Sequence, residues 1–83
     1  MIFRRKIEVT SKRTTREKLV AYLLLQAKRN GSDSFEIPYN RQELADYLEV
    51  ERSGLSVEIG RLARQGFIET DRRHFRIVRA IDM

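Results

Sequence analysis

A two-turn apolar repeat, a three-residue connector and a longer apolar repeat follow one another between Asn40 and Gly66, and that order of lengths narrows the fold more than any other feature of the chain. Asn40 and Glu43 have the capping-box spacing, in which each side chain satisfies a backbone N–H at a helix start. Leu44, Ala45 and Leu48 then give one apolar face to a helix over 41–48. After Glu49-Val50-Glu51, Leu55, Ile59, Leu62 and Ala63 point one way. Arg52, Ser53, Ser56, Arg61 and Arg64 mostly point the other. The second helix is therefore amphipathic with a basic outer face, and Gly66 closes it. Two helices joined this way form a helix-turn-helix layout. Small Ala45 lets the helices approach closely, while Val50 and Leu55 fill the seam between them.

The flanks fit around that pair. Thr14 and Glu17 repeat the capping box, and Leu19, Val20, Tyr22, Leu23, Leu24 and Ala27 supply a broad apolar face, predicting a helix buried on more than one side. Asn30-Gly31 ends it, since both residues tolerate positive φ. Phe35, Ile37 and Tyr39 alternate over 34–39, predicting a short strand that Pro38 pushes to a sheet edge. Residues 67–70 and 75–78 are β-prone runs separated by Asp71-Arg72-Arg73-His74, a hairpin with a basic tip. Phe3 and Ile7 lie four apart on a basic segment, consistent with a short helix or the tail of a longer one. The expected fold class is mainly α with a small antiparallel β component, a winged helix-turn-helix.

Eighty-three residues leave room for one small domain. Without cysteine there are no disulfides, thiolate metal sites or cysteine nucleophile. The only histidine, His74, lacks the partners that metal binding or His-based catalysis needs, no glycine-rich phosphate loop is present, and the expectation is a non-enzyme without cofactor or metal. No apolar run suggests a membrane span, so a cytoplasmic protein without a membrane partner is expected.

Charge is blocked along the chain. Residues 1–29 carry nine basic and two acidic side chains (+7), 30–51 one and six (−5), and 52–83 seven and four (+3). A field of this kind attracts polyanions, nucleic acid foremost.

The string IPYNRQELADYLEVERSGLSVEIGRLARQGFIE, with TTREKLVAYLL before it and the hairpin after it, resembles the C-terminal DNA-binding domain of the Crp/Fnr family of bacterial transcription regulators. The resemblance implies a winged helix that binds palindromic double-stranded DNA, dimerises in the full-length context and meets RNA polymerase as a further partner. By this likeness residues 1–13 correspond to the end of a dimerisation helix or a linker, and 14–83 to the DNA-binding domain. The recognition helix would span about 52–65 and enter the major groove, with the wing over about 67–78 on the backbone. Carried over residue by residue, Arg52, Ser53, Ser56 and Val57 face the groove, while Arg41, Gln42, Arg61, Arg72, Arg73 and His74 hold phosphates. One departure stands out. Many members place arginine, a guanine reader, directly after the serine matching Ser56; here that residue is Val57, which either packs on a thymine methyl instead or marks a weakened reading of sequence. Gly54 and Gly60 also soften the reading helix, each by about 0.8–1 kcal/mol relative to alanine.

Two functions from different classes follow: sequence-specific DNA binding in transcription regulation, or a protein-interaction or dimerisation module with weak or non-specific DNA binding. For Arg52, the competing structural use is a surface pair with Glu49 or Glu51.

Overall fold

A computed structural model describes residues 14–81; Phe3, Ile7 and the segment likened to a dimerisation helix lie outside them. Three helices, α1 (Thr15–Asn30), α2 (Arg41–Leu48) and α3 (Arg52–Arg64), pack with three short strands, β1 (Ser34–Glu36), β2 (Ile68–Asp71) and β3 (His74–Ile77). The antiparallel sheet has the order β1-β3-β2. None of the described helices is long and apolar enough to cross a membrane.

Both expected capping boxes form. Thr14 Oγ1 accepts from Glu17 N at 3.1 Å while Thr14 N donates to Glu17 Oε1 at 2.9 Å. Asn40 and Glu43 make the same exchange at 2.8 and 2.9 Å. Gly31, in the left-handed region at φ 63°, ends α1 and returns its N–H to the last turn.

The core is a single cluster in which Leu19, Val20, Leu23, Leu44, Ala45, Leu55, Leu62 and Phe75 are fully buried. Burying each leucine fully contributes about 1.5–3 kcal/mol, so the cluster must offset the ordering entropy of a small chain. Ala45 sits in the seam between α2 and α3, with Leu55 buried and Val50 partly buried beside it. Glu49 turns the chain there with φ 60°, and Val50 N closes the turn on Ala45 O at 3.0 Å.

Three readings need correction. The first strand stops at Glu36 and not at Tyr39: Ile37 N still donates to Arg73 O at 2.8 Å, but Pro38 has no N–H with which to continue. The strand does lie at a sheet edge. The hairpin is tighter than expected, since Asp71 and His74 pair as strand residues and leave Arg72-Arg73 as a two-residue turn. In α1 the buried stripe has one broad side, with Leu24 39% and Leu25 44% exposed.

Aromatic contacts tie the elements together. Phe35 and Phe75 oppose each other across β1 and β3 with ring centroids 6.5 Å apart. Tyr22 of α1 meets Tyr47 of α2 edge-on at 5.5 Å, and Tyr47 stacks on Tyr39 at 5.1 Å. Burial, with the neighbouring Tyr39 and Tyr47 adding to it, pushes the Tyr22 hydroxyl up to about 12.

Candidate nucleic-acid interface

The outer face of α3 is built by elimination. Leu55, Ile59 and Leu62 point into the core, which leaves Arg52, Ser53, Ser56 and Val57 exposed along the opposite side of the same turns. Val57 is 51% exposed, a β-branched apolar residue on a helix surface where nothing in the fold requires it. Helices α1 and α2 begin with side-chain caps, whereas Glu51 at the start of α3 makes no cap hydrogen bond. The first N–H groups of α3 are thus left without a side-chain acceptor, and the positive end of the helix dipole lies beside Arg52.

Next to that helix start, Asn40, Arg41, Gln42, Arg52, Arg72 and Arg73 line an open concavity of about 510 Å³. Three separate stretches of sequence contribute: the start of α2, the start of α3 and the hairpin turn. Four guanidinium groups converge there, and among the described residues no carboxylate lines the wall. Among the described residues Arg52, Arg72 and Arg73 have no carboxylate within ion-pair distance, so Arg52 does not form the surface pair with Glu49 or Glu51. Cations gathered without counter-charges repel one another, and the arrangement is best satisfied by an external anion.

The turn itself is strained. Arg72 has φ 57°, a conformation that side chains other than glycine, asparagine and aspartate rarely adopt. Arg41 is engaged there: its Nη1 donates to Arg72 O at 2.8 Å, its Nη2 donates to Thr70 Oγ1 at 3.3 Å, and its guanidinium lies 5.2 Å from the Phe75 ring centre. Partial burial lowers its pKa from the ordinary arginine value.

Of the ten site residues expected from sequence, Arg41, Gln42, Arg52, Arg72 and Arg73 come together, and Ser53, Ser56 and Val57 continue along the exposed face of α3. Gln42 also donates to Asp46 Oδ1 at 3.1 Å along α2. Arg61 and His74 do not line the concavity. Arg61 pairs with Glu58 at 3.2 Å, and His74 Nε2 lies 2.8 Å from Ser34 Oγ, toward the β1 edge. Sequence reasoning treated Asn40 only as a cap, although its place beside Arg41 was the available signal that it would line the site.

The model of the Crp-like helix-turn-helix domain matches residues 17–81, nearly the whole described fold. The chain belongs to that family. It is thus a helix-turn-helix DNA-binding domain of a class of transcription regulators. Among curated proteins it is similar to the transcriptional activator protein FnrL of Cereibacter sphaeroides, with 33% identity over 73 aligned positions. That match covers 76% of this chain and 29% of FnrL, so the chain spans less than a third of that relative's length.

Proposed function

We propose that the chain binds double-stranded DNA sequence-specifically in transcription regulation, with the start and outer face of α3 in the major groove and the hairpin wing on the adjacent backbone. The observation that carries this is the acid-free concavity shared by Arg41, Gln42, Arg52, Arg72 and Arg73, placed between the exposed helix face and the wing tip. A major groove admits a helix, and a helix that enters it brings the flanking elements against the phosphates on either side. Arg52, Ser53, Ser56 and Val57 are then the groove-facing set. Gln42, Arg72 and Arg73 hold phosphates together with the uncapped N–H groups of α3. Arg61 and His74 belong to a second rank of phosphate contacts, since each already has a partner in the chain.

Val57 supports readout of a thymine methyl at the position it faces. In the longer regulator implied by FnrL, two such domains would dimerise on a palindromic site and act with RNA polymerase in the cytoplasm.

Arg52 separates reading from mere attraction. Arg52→Ala is expected to weaken binding to a selected duplex by about 1–3 kcal/mol more than binding to a scrambled one. Equal losses on the two duplexes, measured by titration at fixed salt, would make Arg52 a phosphate contact and favour the weak or non-specific binder.

A further inference from the structure

The interactions of Arg41 are those of a strut. Its planar fork satisfies two acceptors on different parts of the hairpin, the Arg72 carbonyl in the turn and the Thr70 hydroxyl on β2, while its central carbon lies over the Phe75 ring at 5.2 Å from the centre. Thr70 Oγ1 in turn donates to His74 O at 3.0 Å, closing the base of the same turn. On the other side, Ile37 N donates to Arg73 O at 2.8 Å. The backbone of Arg72-Arg73 is thereby gripped from α2 on one flank and from the segment after β1 on the other. The residue whose carbonyl Arg41 holds is the one with positive φ in the turn.

We infer that Arg41 is a positioning residue: it fixes the wing against the start of α2 so that Arg72 and Arg73 meet phosphates, and is not itself an independent phosphate contact. The inference rests on the DNA-binding reading above and assigns the wing's contribution to a joint within the protein. Lysine keeps the charge but not the fork. An ammonium cannot present the fork that reaches both acceptors at once, so Arg41→Lys removes the strut while leaving net charge unchanged.

The test is the salt dependence of binding to a mixed-sequence duplex for the wild type, Arg41→Lys, the double variant Arg72→Ala/Arg73→Ala, and the triple combination. Removing one phosphate interaction lowers the slope of log K against log salt by about 0.9, so the double variant should lose about 1.8. Arg41→Lys alone should lose more than half of that, and the triple should lose no more than the double. A slope and affinity retained within about twofold in Arg41→Lys would overturn the assignment. So would a triple variant whose losses are the sum of its parts. Should Arg41→Lys fail to fold, Thr70→Val decides. It removes one acceptor and no charge, and is expected to lower the slope in the same direction with a cooperative melt; an unchanged slope counts against the strut. A wild-type chain that melts cooperatively yet shows no salt-dependent duplex binding would remove the DNA-binding reading itself, and the assignment with it.

Discussion

The two ends of α3 use the same residue type in opposite ways. At its C-terminal end arginines are absorbed by the protein. Arg16 and Arg61 converge on Glu58 at 3.8 and 3.2 Å, Arg16 donates to Gln65 Oε1 at 3.1 Å, and Arg79 donates to Gln65 O at 2.6 Å while stacking 4.4 Å from the Phe67 centre. These groups brace the helix end against α1 and the segment after β3. At the N-terminal end Arg52, Arg72 and Arg73 converge without a carboxylate among them. A positive composition alone cannot distinguish a braced surface from a binding surface. What distinguishes them is whether each guanidinium already has an acceptor.

The largest expected effect tests that contrast directly. Replacing Arg52, Arg72 and Arg73 together by alanine should lower the salt slope of duplex binding by about 1.8, the share of the two phosphate-holding wing arginines, whereas replacing Arg16, Arg61 and Arg79 should lower it by less than about 1, although both variants lose the same charge. Titrations at several salt concentrations, below the melting transition of both proteins, provide the comparison. Equal slopes would mean that only net charge matters.

A smaller effect probes the strain at the wing. Arg72→Gly relieves a positive φ while keeping the carbonyl that Arg41 holds, so stability should rise by about 0.5–1 kcal/mol in urea titrations as duplex affinity falls. Opposite signs in the two measurements mark a residue kept for function against its local cost. A loss of both would show that its side chain supports the fold.

The smallest expected change is at Glu58, whose loss frees Arg61 and leaves Arg16 with Gln65. The Glu58 side chain is mostly buried but Glu58→Gln keeps its shape and an acceptor oxygen, so the variant should lower stability by about 1 kcal/mol and alter duplex affinity by less than about twofold. A large gain in affinity would show that the braced end can be recruited to DNA, and that Arg61 holds a phosphate more strongly than its pairing suggests.

The elements of this contrast were unequally legible in the sequence. Local chemistry was read well: the caps at Thr14 and Asn40, the stop at Gly31 and the basic turn of the hairpin all act through neighbours a few residues away, and the buried Ala45 and Leu55 were legible from helical periodicity. The start of α3 and the hairpin were legible from helical spacing and β-prone runs, and the family resemblance then assigned them to groove and backbone. The fate of each arginine was not legible. Arg41 reaches Arg72 across 31 residues and Arg16 reaches Gln65 across 49, and no local pattern encodes which carbonyl or amide will lie within reach after folding. The pair Arg61–Glu58 was accessible in principle, since residues three apart on a helix are neighbours. The exposure of Leu24 was hidden for a related reason, because helical periodicity shows that a face is apolar but not how far around the helix the core extends.

On the proposed reading, the exposed start of α3 reads bases while the arginines around it hold the backbone. Selection from a pool of randomised duplexes, followed by titration of the winner and a scrambled control at two salt concentrations, decides between reading and gripping. The expected result is a recovered half-site that includes a thymine opposite Val57, binding tighter than the control at both salts, with both affinities falling steeply as salt rises. Equal affinity for winner and control would contradict that reading and leave a domain that grips phosphates without reading sequence.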